Sequence, residues 1–318
     1  MRVAAIDCGT NSIRLLIADV ETEPPSLVDV VRTMKVVRLG QGVDETGTLA
    51  DEALKRTFAA TDEIAAQCAE HQVEAIRFVA TSATRDADNR EAFVEGIQTR
   101  LGVAPEVISG DEEAALAISG ATASLGSEHA GPFLVVDIGG GSTEIVLGTD
   151  EPEAAISIDV GCVRMTERHL AGDPPSVEQI ADATADIDAA LQRAFSVVPV
   201  ERTATVVGLA GSVTTVTAHA LKLNSYEPAA IHGAVHTVDD CIGAASDLLA
   251  MTQAERGALG FMHPGRVDVI GAGALVWRTL VQRVRERVAA ADRDIDTVVT
   301  SEHDILDGIA WSLARSRD

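Results

Sequence analysis

Two short segments carry the residues with the clearest chemical purpose. The first is Asp7-Cys8-Gly9-Thr10-Asn11-Ser12; the second is Asp137-Ile138-Gly139-Gly140-Gly141-Ser142-Thr143-Glu144. Each follows a short apolar run and precedes another, so each reads as a turn between two strands. Glycine lets such a turn bring backbone N–H groups against an anion with no Cβ in the way. Thr10, Asn11, Ser12, Ser142 and Thr143 add side-chain donors. One Gly-rich turn is an ordinary hairpin feature, but two matching turns at corresponding places point to phosphate. The acids fit the same picture. Asp7, Asp137 and Glu144 would repel a phosphate unless a cation stood among them, which implies a divalent metal with oxygen ligands, Mg2+ or Mn2+. Neither G-x-x-x-x-G-K-[ST] nor G-x-G-x-x-G occurs, so P-loop and Rossmann readings lack their fingerprints.

Other residues could join this chemistry. Arg85 follows a run of small residues at 81–84 and could clamp a phosphate with its fork, or pair on the surface with Asp86 or Asp88. Arg164 and Arg266 are further candidates. Gly211 and Ser212 lie just before a predicted helix, whose first N–H groups could take an anion or could simply form a tight strand-to-helix turn. Trp277 and Trp311 read as core residues.

These loops require a frame. Strands are expected over 3–7, 13–20 and 26–39, then a helix over 50–71 and a strand over 75–80. A helix over 89–101 with Asn89 as N-cap, a strand over 106–109 and a helix over 111–124 follow. After a Gly- and Pro-bounded linker at 126–132, the pattern strand–Asp–turn–strand–strand recurs, 130 residues downstream of its first appearance. Helices are expected over 176–195, 212–221, 238–251, 252–259, 267–288 and 305–315, with a strand over 297–300. A whole lobe is duplicated, giving an α/β protein with lobes at 1–125 and 126–318 and a final helix able to pack back on the first lobe.

The 318 residues suit two domains. Apolar residues reach 46% while aromatics are 3%, so the cores must be built from Ala, Val, Leu and Ile. The net charge of −24 excludes a nucleic-acid binder, which needs a basic footprint. No apolar run is long enough for a membrane span, and an acid at position 7 interrupts any signal-peptide pattern. The four scattered cysteines form neither a zinc pattern nor a disulfide framework, and a cytoplasmic protein is expected. Of the cations only Lys35, Lys55 and Lys222 are lysines.

The duplicated Asp-x-Gly openings resemble the actin, sugar-kinase and heat-shock-chaperone ATPase superfamily. Within it the chain resembles the exopolyphosphatase and guanosine pentaphosphate phosphatase family (Ppx/GppA) over nearly its whole length. The motifs that carry this are the two loops, Thr81-Ser82-Ala83-Thr84-Arg85-Asp86-Ala87 with Asn89, and Ser109-Gly110-Asp111-Glu112-Glu113-Ala114. Gly161-Cys162-Val163-Arg164, Gly208-Leu209-Ala210-Gly211-Ser212, Gly265-Arg266-Val267-Asp268 and residues 301–308 continue it. The resemblance implies duplicated actin-like (ribonuclease H-like) lobes with mixed sheets flanked by helices and an active-site cleft between them. It implies Glu113 as the residue that positions or activates water, where acids opening a helix could otherwise merely answer its dipole. Its implied substrates are inorganic polyphosphate or guanosine pentaphosphate, and a homodimer is a family expectation. Larger members carry extra C-terminal domains for long chains. A chain ending at Asp318 with a charge of −24 is therefore expected to favour short polyphosphates. A nucleotide-binding regulatory protein with little turnover is the other class the residues allow.

Overall fold

A computed structural model describes residues 1–23, 25–123, 125, 129–149 and 151–315. Contacts divide the chain into two units. The first comprises residues 1–120 together with the helix Ile305–Arg315; the second comprises residues 121–304.

The first unit is built on five strands: β1 (Arg2–Cys8), β2 (Ser12–Thr22), β3 (Pro25–Val36), β4 (Ala75–Ala80) and β5 (Glu106–Val107). They lie in the order β3-β2-β1-β4-β5. The first three form an antiparallel meander, and β4 and β5 run parallel to β1. The second unit has β6 (Phe133–Ile138), β7 (Thr143–Gly148), β8 (Pro152–Ile158), β9 (Thr205–Leu209), β10 (Val235–Thr237) and β11 (Thr297–Thr300). Read from its far edge, its order is β8-β7-β6-β9-β11-β10. The same meander, followed by the same two parallel strands, is thus repeated, with β10 added antiparallel at the edge. The duplication expected from the two loops is therefore a duplication of sheet order.

Continuous apolar runs explain the central strands. β6 and β7 are buried at every position, as strands covered on both faces by helices must be. In the first unit Ile6, Ile13, Leu15, Ile17 and Phe78 pack with Phe93 and Ile97 from the helix Arg90–Leu101. In the second, Leu134, Val136, Ile145 and Leu147 pack with Trp277 and Leu280 of the helix Ile270–Ala289. Trp277 is the core residue expected, whereas Trp311 is only half-buried. Among the described residues no helix is long and apolar enough to cross a membrane.

Several boundaries differ from the sequence reading for identifiable reasons. The strand expected over 26–39 stops at Val36, because the N–H groups of Val37 and Arg38 both turn back to the Asn11 carbonyl, at 3.0 and 2.8 Å. Asn89 does not cap its helix with its side chain. Its amide instead grips Leu49, accepting from that N–H at 2.8 Å and donating to that carbonyl at 2.9 Å. Ser176 does cap the helix Val177–Val197, in a reciprocal box with Gln179. The helix Cys162–His169 was not anticipated at all. The expected linker at 126–132 falls partly outside the described residues, and residues 129–132 carry neither helix nor strand.

Candidate active site

In the first unit the loop 7–12 joins β1 to β2, closed by Gly9 N–H donating to the Ser12 carbonyl at 3.0 Å. Asp7 at the end of β1 lies directly across from Arg14 of β2 in register. Opposed residues of an antiparallel pair share one face. Arg14 donates Nε and Nη2 to the same Asp7 carboxylate oxygen, at 2.9 and 2.7 Å. Asp7, expected as a third metal ligand, is therefore already matched by a guanidinium.

The segment 81–85 follows β4, which pairs with β1 and so brings this segment beside the loop. Thr81 N–H donates to the Cys8 carbonyl, and the buried hydroxyls of Thr10 and Ser82 lie 2.9 Å apart. Arg85 ends the short helix Ser82–Arg85. Its guanidinium turns away from the alternative surface partners Asp86 and Asp88. Its Nη1 donates to Glu113 Oε2 at 3.1 Å and to the Ile108 carbonyl at 3.0 Å. The structure thus joins the expected phosphate clamp to the expected catalytic acid. Glu113 stands in the first turn of the helix Gly110–Thr122 and is 8% exposed. Its neighbour Glu112 points elsewhere, to Arg77 at 2.7 Å, with its side chain 46% exposed. Of these two adjacent acids, only Glu113 is drawn into the group formed by the first loop and Arg85.

In the second unit the loop 137–144 repeats the first closure, with Gly139 N–H to the Ser142 carbonyl at 3.0 Å. Here the residue opposite Asp137 is Glu144. Both carboxylates are buried, at 8% and 2% exposure, and Ser157 Oγ donates to Glu144 Oε1 at 2.7 Å. Two hard oxygen donors on one strand pair suit Mg2+ or Mn2+, which take carboxylates and keep several waters. Among the described residues no three His, Cys, Asp or Glu side chains gather as a metal-holding group. The fit therefore rests on the Asp137–Glu144 pair and the chemistry of its oxygens.

The turn of three glycines is clasped by the helix Cys162–His169. The N–H of Cys162 donates to Gly139, those of Val163 and Arg164 to Gly140, and Arg164 Nε to the Gly141 carbonyl at 2.7 Å. Gly161 permits this approach, since a Cβ there would lie 2.4 Å from the Gly140 backbone. Thr143 is a buried donor already committed to the Val160 carbonyl. Gly211 and Ser212 open the helix Ala210–Ala220, entered through Ala210 with φ of 63°. A Cβ at Gly211 would lie 2.2 Å from the Arg266 guanidinium carbon. Gly211 and Arg266, separate candidates in the sequence, are thus in contact. Gly161 stands in a motif already quoted, but its role as the point of close approach does not follow from the motif. Arg38 was missed, because its signal lies in the chain crossing the first loop after the third strand, which no local motif announces.

Comparisons with known proteins place the chain among relatives. The model of the Ppx/GppA phosphatase family matches residues 16–293. Exopolyphosphatase 2 of Mycobacterium tuberculosis is 50% identical over 320 residues, covering 98% of each chain. A guanosine-5'-triphosphate,3'-diphosphate pyrophosphatase of Pseudoalteromonas atlantica is 38% identical over 188 residues, 59% of this chain and 36% of its own. Among solved structures, an exopolyphosphatase-like protein is 46% identical with a TM-score of 0.96, and all of both chains is covered.

Proposed function

The chain belongs to the Ppx/GppA phosphatase family, and from that premise we propose that it is a metal-dependent exopolyphosphatase releasing terminal phosphate from inorganic polyphosphate. The observation that carries this reading is the 50% identity to an exopolyphosphatase across 98% of both chains. The Arg85–Glu113 pair beside the first loop supports it as a hydrolytic rather than merely binding arrangement.

The reaction needs an oriented water, charge neutralisation and an acceptor for one proton. Glu113 takes the proton from water as its oxygen attacks the terminal phosphorus. The bond from that phosphorus to the bridging oxygen breaks, and the shortened chain leaves with the electron pair. Arg85, anchored on the Ile108 carbonyl, fixes the position of the Glu113 carboxylate. Backbone and hydroxyl groups of Thr10, Asn11 and Ser12 and of Gly140, Gly141 and Ser142 bind phosphate oxygens, while Gly9 and Gly139 close the two turns and Thr143 braces the second through the Val160 carbonyl, with Gly211 and Ser212 as a further anion site. A divalent cation held by Asp137 and Glu144, with Asp7 as the weaker third donor, supplies charge neutralisation when bound.

The second reading is removal of the 5′-phosphate from guanosine pentaphosphate, favoured by the partial match to the pyrophosphatase. One panel separates them: phosphate release from tripolyphosphate, long polyphosphate, guanosine pentaphosphate and ATP, with Mg2+ and with chelator. Release from polyphosphate that stops with chelator is expected. Release from guanosine pentaphosphate alone would replace the first reading with the second. Binding of that nucleotide with no release from any substrate would make this a regulatory protein.

A further inference from the structure

The segment that leaves β3 crosses the first phosphate loop and is held there by backbone. Val37 and Arg38 donate to the Asn11 carbonyl, and Gly40 donates to Thr10 at 2.9 Å. Arg56 Nε fastens the turn from outside through the Val37 carbonyl at 2.8 Å. Gly40 fits so closely that a Cβ would lie 2.3 Å from Thr10 Cγ2 and 2.9 Å from Ala83 Cβ. The turn thus touches both loop 7–12 and segment 81–85.

Within this turn Arg38 has φ of 51°. That left-handed conformation is unfavourable for a residue with a Cβ and free of strain for glycine. The chain uses glycine at 40 and 42 but keeps arginine at 38. Strained non-glycine residues cluster at functional sites, where the side chain is worth the conformation. The second unit supplies an independent parallel. After its third strand the chain crosses the second loop in the same way, and the residue that follows is Arg164, on the Gly141 carbonyl.

We infer that Arg38 is a substrate-binding residue, its guanidinium taking a phosphate group of the polyphosphate at the first loop. The inference rests on the reading of loop 7–12 as a phosphate site. A forked, permanently charged donor is suited to phosphate, and a flexible ammonium is a poorer substitute.

Arg38→Gly separates this role from a structural one, because it keeps the backbone conformation and removes only the side chain. Its KM for tripolyphosphate should rise about tenfold or more, with a smaller change in kcat and with Arg38→Lys in between. Calorimetric binding of tripolyphosphate should weaken by the same factor. A lowered thermal midpoint with unchanged KM and affinity would make Arg38 a structural residue and overturn the inference. Parent protein that binds tripolyphosphate without hydrolysing it would sink the exopolyphosphatase reading, and the calorimetric comparison would still decide Arg38. Parent protein that does not bind it overturns both.

Discussion

The two units place an aspartate at the same point of the same strand, Asp7 on β1 and Asp137 on β6, and give it opposite company. Their partners in register, Arg14 and Glu144, are again 130 residues apart, as are Val79 and Leu209 on the neighbouring parallel strands. With the backbone path held constant, one change of residue sets the electrostatics. Opposite arginine, the carboxylate is paired within the protein; opposite glutamate, it faces a second buried carboxylate, the pair we propose to hold a cation. The segments after the parallel strands diverge as well. Ser82 opens one turn of helix that ends at Arg85 and the Glu113 pair, whereas Ser212 opens the eleven-residue helix Ala210–Ala220. The two units thus share a backbone path and differ in the side chains that line it, and the proposed division of labour rests on those side chains.

The largest effect should come from the first unit alone. Glu113→Gln keeps the shape of the side chain and the Arg85 contact but cannot accept a proton. Its kcat on tripolyphosphate should fall about 10²–10⁴-fold, with the thermal midpoint close to that of the parent. Full activity would return Glu113 to the role of a helix-dipole acid and erase the division of labour.

Much of this division was legible in the sequence, for physical reasons. The repeated strand–Asp–Gly turn is a local signal, because strand alternation and glycine turns are written in neighbouring residues. Asp137 and Glu144 flank one turn, so their pairing follows from hairpin geometry. Arg85 and Glu113 were both chosen, but their bond joins residues 28 positions apart through β5, and no spacing rule gives it. The arginine partner of Asp7 is not legible from the loop motif, because Arg14 lies beyond it on the next strand. Arg38 was overlooked because nothing in its neighbours' composition reveals a positive φ. The helix Cys162–His169 was missed because it is short and mostly polar, and its anchor is the carbonyl row of another turn.

Next in size is the metal. Asp137→Asn should raise the Mg2+ concentration for half-maximal activity about 10–100-fold, while Asp7→Asn should leave it nearly unchanged. Asp7→Asn should act on stability instead. It removes the negative charge opposite Arg14, whose side chain is only 20% exposed, and should cost about 1–3 kcal/mol in denaturant unfolding. Equal metal demand in the two variants would make Asp7 as strong a metal ligand as Asp137 and break the contrast between the units.

The smallest effect concerns the two cysteines beside the loops. Cys8 ends β1 at 1% exposure, and Cys162 opens the helix on the second loop at 7%. Burial pushes the Cys8 thiol well above its ordinary value, and the charge of Asp7 adds to the shift. Burial also raises Cys162, but there a hydrogen bond from Ser212 and the positive charge of Arg266 pull the other way. The thiolate is the reactive form, so both should resist alkylation in the folded protein. In iodoacetamide labelling at mildly alkaline pH, read by peptide mass spectrometry, Cys162 should be modified before Cys8. Cys8 itself should wait for unfolding, as should Cys241, pushed up to about 12 chiefly by burial. Arg266→Gln should slow Cys162 and leave Cys8 as it was, since only the second loop has that cation beside its cysteine. Earlier modification of Cys8 would mean that Arg14, not Asp7, sets the field at the first loop.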